Sequence, residues 1–440
     1  MKRFFAFIMV AIVTMSLAGC FGSGASSAPQ PTNVAVAAKD SRVVVTWDSI
    51  PGVTYWVFTA AGTGVTPTNC SSMAVCGTTL YATSPQTVSS LPGTYGTFGT
   101  VPLTNGVQYS FTVNGRINGG PGGPGSPAIE ATPRLAGNIW NTGPSAGTTD
   151  LRGVAYGAGW FVAAGLGGSS FYSLDGNIWT ALSNTSQTDF YAVNFNGAVF
   201  LGIGANGNVM SLSPGQTSWT QQYSGTNNTL YAITSNGAGM VIAAGVGGTI
   251  ITTNNSGGTW GAPVFPTGST LYGLAYGLVR NLTPTYVAVG AAGTLLYSTD
   301  GVTWYRTPSP LPTIDLKGVT YGGLDSNGYG VFVAVGNSGT VLTSEDGINW
   351  TQQTSTTIPN ASNLNSVTYT TYRRFMAVGA DGNIYYSEYY SNLNSLVGNG
   401  GAVWTQVTPP VATSSINAIT TGGLYDYSAV GAGGLNLYAD

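Results

Sequence analysis

Seven side chains at matching places in a repeated phrase carry the chemistry open to this chain: Arg152, Tyr191, Tyr231, Tyr272, Lys317, Asn365 and Asn417. Three aromatics, two cations and two amides can stack on sugar rings and hydrogen-bond hydroxyls or peptide groups. Each stands two residues after a short, mostly polar side chain, in the series Asp150, Asp189, Thr229, Thr270, Asp315, Asn363 and Ser415, expected to cap the strand starts. The competing reading of the same seven is packing between repeats, with polar tips left in water. Covalent and acid–base chemistry has fewer means. The 440 residues include no histidine, which removes Ser-His nucleophile pairs, His-ligated zinc and the usual general base near neutral pH. "DSNGYG" (325–330) opens like a calcium loop but lacks the bidentate Glu that closes one, so neither a metal nor any other cofactor is expected. With 12 Lys and Arg against 15 Asp and Glu, no basic stripe for nucleic acid can be assembled.

The elements that must position these side chains recur at repeat length. A G-x-x-G turn appears as GLGG (165–168), GANG (204–207), GVGG (245–248), GAAG (290–293), GNSG (336–339), GADG (379–382) and GAGG (431–434). Tryptophan keeps step at Trp140, Trp179, Trp219, Trp260, Trp304, Trp350 and Trp404, one of them displaced to the front. Each unit reads as an apolar strand such as "DLKGVTYG", a second such as "GVFVAVG", the G-x-x-G turn, a third such as "TVLTSED", and a fourth opening with Trp. Four antiparallel strands per repeat make a propeller blade, and the glycines serve turn geometry rather than a phosphate loop. Residues 135–440 are therefore expected to form a seven-bladed β-propeller. The G-x-x-G turns and the lead-ins to each first strand should share one face.

The segments "SLDGNIW" (173–179), "STDGVTW" (298–304) and "SEDGINW" (344–350) resemble the Asp-box of sialidase-type (BNR) propellers, and "TNNSGGTW" (253–260) has a longer variant with Asn255 in the Asp place. The resemblance implies that Asp175, Asp300 and Asp346 organise their own turns, that Trp179, Trp304 and Trp350 pack between sheets, and that the boxes lie away from any active site. "AGNIW" at the front carries the Gly-x-x-Trp that "LNLYAD" lacks at the end. Asp440 and Trp140 should thus complete a last box, with an N-terminal strand closing the ring. "DLRGVAYGAGWFVAAGLGGSSFYSLDGNIW" resembles bacterial repeats related to photosystem II assembly factors, which implies an assembly or scaffold role.

Sialidase-like catalysis would need an arginine cluster, a Tyr-Glu nucleophile pair and an acidic proton donor. The repeat region has two glutamates, Glu345 inside an Asp-box turn and Glu388 within "YYSEYY", and lacks the Arg-Ile-Pro signature. A non-catalytic protein that binds a glycan or a protein partner is expected, with a glycoside hydrolase and an assembly factor as alternatives. The tyrosine arc beside Arg152 and Lys317 is the expected docking surface. On the Asp-box face, Arg373-Arg374 is the compact charge.

Ahead of the repeats, residues 32–134 carry β-branched and aromatic alternation in "TNVAVAAKD", "RVVVTWDSI" and "TYWVFTAAG". With Trp47 on the second strand, Tyr109 in "LTNGVQYSFTV" and an Ala-Thr-Pro ending, this segment resembles a fibronectin type III β-sandwich, a spacer or adhesive module. Cys70 and Cys76 lie in its enlarged middle (63–100), and one disulfide or two close free thiols fit them. The first residues, MKRFFAFIMVAIVTMSLAGC, resemble a bacterial lipoprotein signal peptide (1–19): a basic start, an apolar run and Leu-Ala-Gly-Cys. That implies cleavage before Cys20, lipidation of its thiol and a cell-envelope location, the outer membrane where there are two, since Phe21 rather than Asp follows. Residues 20–31 then form a lipidated, flexible tether.

Overall fold

A computed structural model of the chain describes residues 27–73, 76–91, 101–117, 120–134, 137–322, 330–354, 357–370, 374–388, 404–410, 414–422 and 427–439. The signal segment, Cys20, Asp440 and Arg373 lie outside them, as do most of the "DSNGYG" turn and the side chain of Glu388. The described residues are all-β, without α-helix, and fall into two compact units, 1–134 and 135–440.

In the first unit, strands Ala35–Lys39, Arg42–Thr46 and Gln86–Val88 form one sheet. Cys76–Ala82, Val53–Ala61, Tyr109–Ile117 and Ile129–Ala131 form another. Side chains of both sheets share one core: Val43, Val45 and Trp47 meet Tyr55, Val57, Phe111 and Val113. Trp47 sits just past the end of its strand rather than on it. The Tyr109 hydroxyl accepts the Thr104 amide at 2.9 Å, tying the chain's approach to the strand it begins. Cys70 and Cys76 are joined in a disulfide, their Cα atoms 5.4 Å apart. Cys76 opens a strand paired along Val53–Ala61, so the enlarged middle of this unit is anchored to the second sheet.

In the second unit the described residues form seven antiparallel sheets. The first contains Leu151–Gly157, Trp160–Gly165, Ser170–Ser173 and Thr180–Ala181, and the same up-and-down order recurs. Apolar clusters lie between consecutive sheets. One joins Ala155 and Val162 to Phe190 and Phe200, and another returns from Ala418 and Val430 of the last sheet to Leu151 and Ala163 of the first. The sheets thus pack face to face in a closed ring, which is a β-propeller. In the last sheet the outermost strand is Asn141–Thr142, from the start of the unit, paired as Asn141 with Tyr438 and Thr142 with Leu437.

Two details differ from the sequence expectation. The fourth strand begins after the tryptophan in most sheets, as in Thr220–Gln222 and Thr351–Gln353; the Trp350 indole is held by Gly347 of the preceding turn and the Trp219 indole by the Ser170 hydroxyl of the preceding sheet. The third sheet has three strands. Its fourth edge shrinks to a bridge between Ile250 and Val264, since Pro263 and Pro266 withhold amides from the ladder.

The first glycine of each G-x-x-G turn answers to close approach rather than to a positive φ. A Cβ on Gly165 would meet the Asp150 carbonyl oxygen at 2.0 Å, and one on Gly204 would meet that of Asp189 at 1.8 Å. That proximity serves the turn, because the next amide donates to the same carbonyl: Leu166 to Asp150 at 3.0 Å and Ala205 to Asp189 at 3.0 Å.

Candidate functional site

The seven repeat positions come together. Arg152, Tyr191, Tyr231, Tyr272, Lys317, Asn365 and Asn417 all line one mouth of the central channel, a cavity of about 180 Å³. They arrive there by a shared backbone device. In every sheet the innermost strand slips register at this residue: Leu151 pairs with Gly165 and Gly153 with Ala164, leaving Arg152 as the extra residue of a β-bulge. The slip recurs around Tyr191, Tyr231, Tyr272, Lys317, Asn365 and Asn417. A bulge re-aims a side chain and frees its backbone from the ladder, and here it does so seven times around one axis.

Tyrosines fill one arc. Tyr191 and Tyr231 pack edge to face with centroids 4.9 Å apart, and Tyr231 and Tyr272 follow at 5.7 Å. Burial, followed by the charge of neighbouring Asp189, pushes the Tyr191 phenol above its ordinary value, so it stays protonated and able to donate. The Lys317 ammonium lies 3.8 Å from the Tyr272 ring centroid and 3.0 Å from Asp315, closing one end of the arc. Arg152 closes the other, 2.9 Å from Asp150.

The amide arc is different. Asn365 donates to the Ile416 carbonyl at 2.9 Å and Asn417 to the Leu151 carbonyl at 2.8 Å, each reaching the next sheet. These two side chains serve packing between sheets, and the aromatic and cationic five carry what the mouth can offer a ligand.

The lead-in residues also do something other than cap their own strands. Asp189 accepts the Gly167 amide at 2.7 Å, Asp315 that of Ala292 at 3.0 Å, Asn363 that of Ser338 at 3.1 Å and Asp150 that of Gly433 at 2.9 Å. Each clamps the G-x-x-G turn of the preceding sheet. The Ala292 amide, aided by Lys317, holds the Asp315 carboxyl below the usual carboxylate range, although burial opposes this.

Two residues further along each inner strand lies a ring the sequence reading did not single out: Val154, Val193, Ile233, Leu274, Val319, Val367 and Ile419, which also line the cavity. The signal was present as an aliphatic at every equivalent position, two residues after the bulge. These aliphatics are nearly buried, each also packing into a cluster between sheets, so they offer the channel a narrow apolar edge beneath its polar rim.

At the other end, the Ser-x-Asp-Gly-x-x-Trp segments that resemble Asp-boxes close on themselves. Asp175 accepts the amides of Asn177 and Ile178 at 2.9 Å and the Ser173 hydroxyl at 2.9 Å. Burial alone would raise its pKa, but these bonds outweigh it and the carboxyl is held low. For Asp300 the Thr303 and Val302 amides lower it to about 2, and Asp346 follows the same pattern as Asp175. The indoles of Trp179 and Trp350 donate to Gly176 and Gly347, and Trp140 donates to Gly137 at 2.9 Å, so the front segment reproduces the second half of a box. Trp304 is different: the Gly301 carbonyl takes the Thr252 hydroxyl of the preceding sheet instead. Glu345 is ion-paired with Arg280. Arg374, expected as surface charge, is buried at 3% exposure, stacked over Tyr386 and donating to Asn138 of the closing segment. Among the described residues, no cluster of three or more metal-ligating side chains occurs, and no helix is long and apolar enough to cross a membrane.

No protein-family model and no curated protein sequence matches the chain. Solved structures do match in fold. A structure of YCF48 bound to D1 peptide is 19% identical with a TM-score of 0.51, over 70% of this chain and 98% of that one. YCF48 from Cyanidioschyzon merolae is 14% identical at a TM-score of 0.51, over 68% and 98%. The WD40 β-propeller domain of Doa1 is 13% identical at 0.53, over 68% and 97%. At these identities the likeness concerns the β-propeller alone.

Proposed function

We propose that this chain is a non-catalytic binding protein whose seven-bladed propeller holds a segment of a partner protein across the channel mouth, in an assembly or scaffold role. The observation that carries the reading is the convergence of seven bulge residues on one mouth, with a tyrosine arc above an aliphatic ring. An apolar side chain of an extended segment can enter that ring, and burying it would contribute roughly 1.5–3 kcal/mol. The phenols and cations at the rim are left to meet the segment's peptide groups and charges. The aliphatic ring favours a protein segment over a glycan at this position. The solved YCF48 structure with a bound peptide supports the same use of a similar fold. The pairing of Glu345 with Arg280 supports the non-catalytic part, and sugar release from sialoglycans would overturn it. In this reading the first unit is a fibronectin type III-like spacer, and lipidation at Cys20 tethers the whole to the cell envelope.

Replacing Tyr191, Tyr231 and Tyr272 together by Ala tests the site. The lipidated wild type should retain an envelope protein on affinity purification after cross-linking. The triple variant, with unfolding temperature checked, should lose it. Retention at the wild-type level would place the contact elsewhere.

A further inference from the structure

A second recess lies on the propeller's second sheet, away from the channel. It is bounded by the turn at Asn206, by Asn208, by Gln221 and Gln222 of the last strand, by Tyr223 and by Ser186 of the preceding loop, and encloses about 260 Å³. None of the lining residues is an acid, a lysine or an arginine; they present the Tyr223 phenol, amides, hydroxyls and turn backbone. Tyr223 is 88% exposed, the most exposed large apolar side chain among the described residues.

Asn208 supplies the independent observation. It is 6% exposed, and its Nδ2 is buried without a hydrogen-bond partner. Leaving such a donor without a partner is costly to the fold. The repeat does not require it: at the same place after the turn, Thr249 and Thr294 donate to the turn carbonyls of Val246 and Ala291, each at 2.7 Å, and so satisfy themselves. In the second sheet alone of these three, that self-contained hydroxyl is exchanged for a group with a spare donor, in the wall of a recess with an exposed ring at its rim.

We propose that this recess is a subsite for a neutral saccharide. A sugar ring offers an apolar face to stack on Tyr223 and a dense set of hydroxyls to exchange hydrogen bonds with the amides, Asn208 Nδ2 among them once a turn of its side chain presents it. An anionic ligand would find no cation here. An apolar peptide side chain would find no aliphatic wall, in contrast to the channel.

Titration of the full-length protein with maltotetraose, cellotetraose and N,N′-diacetylchitobiose, followed by saturation-transfer NMR and calorimetry, tests this. At least one should bind with a Kd on the order of 1 mM, typical of an affinity near 4 kcal/mol. Tyr223→Ala should weaken binding about tenfold. Asn208→Thr, which installs the hydroxyl used by neighbouring sheets, should keep the unfolding temperature and weaken binding about fivefold, the effect of one hydrogen bond. The triple tyrosine variant of the channel mouth should bind the sugar as the wild type does, which separates this site from that one. Absence of binding by all three sugars, or binding unmoved by both recess variants, overturns the proposal.

Discussion

The two ends of the propeller use the same repeat for opposite purposes. At the Asp-box end, the hydrogen bonds of the box itself run within a few residues, Ser173 to Asp175, Ile178 to Asp175 and Trp179 to Gly176, with crossings such as Thr252 to Gly301 added to them. At the channel-mouth end they cross between sheets, from Gly167 to Asp189, Asn417 to Leu151 and Gly433 to Asp150. One end folds its own turns. The other joins neighbours and leaves a bulge residue free to vary. The bulge position is diverse, from Arg to Tyr to Asn, because the backbone already fixes the direction of the side chain there.

Four substitutions can break or sharpen this contrast. The largest effect is expected from Trp140→Ala. The indole is 3% exposed and packs with Met376, Tyr427 and Leu437 of the last two sheets, so removing it should cost about 3–5 kcal/mol in denaturant unfolding. A loss below about 1 kcal/mol would mean that the closing segment is dispensable.

Next comes Gly301→Ala. The residue has φ of +73°, and a Cβ would lie 2.8 Å from the Met240 sulfur and 2.9 Å from Ile242 Cδ1 of the preceding sheet. A cost of about 1–3 kcal/mol is expected, and a neutral result would show the box turn free to retreat from its neighbour.

Asp189→Ala removes a clamp between the first two sheets. It should cost about 1 kcal/mol, and hydrogen exchange at the Gly167 amide should quicken. Unchanged exchange there would argue that the clamp has no hold on the turn.

Asp300→Asn should do least at neutral pH, under about 0.5 kcal/mol, because an amide oxygen can take the same N–H groups, as Asn255 does from Thr259. Its signature is in acid. The folded carboxyl titrates at about 2 against an ordinary 3.8, so its stabilising contribution is complete above the higher value and is lost as pH falls through the lower. The variant's stability should therefore fall less than the wild type's across that window; parallel acid titrations would contradict it.

Much of this was legible in the chain because turns, tryptophans and boxes are local and recur in step. The alignment of Arg152 with Tyr191 and Lys317 followed from counting residues. What counting could not reveal was the two-against-one pairing that makes each of them a bulge, since a bulge depends on the partner strand. For the same reason Asn365 and Asn417 looked like ligand contacts: the carbonyls they reach, at Ile416 and Leu151, are in the next sheet. Arg374 read as surface charge because nothing in "YRRF" announces that Tyr386 and Asn138 cover it. The weak fourth edge of the third sheet, by contrast, was written openly in "APVFP" and is a matter of proline chemistry.

The pairing of Asn141 with Tyr438 also sets a schedule for biosynthesis. Most of the sheets assemble from consecutive strands and can form as the chain emerges. The last must wait for a strand made before any of them, held in reserve until the other end of the unit has left the ribosome. Until then the nascent protein is an open arc with an unpaired edge, the form most exposed to aggregation and proteolysis. The entropic cost of closing so large a loop grows only logarithmically with its length, so the delay lies in synthesis more than in the final step. Cells that make this protein therefore have reason to shepherd the arc, and once the latch is shut that need disappears.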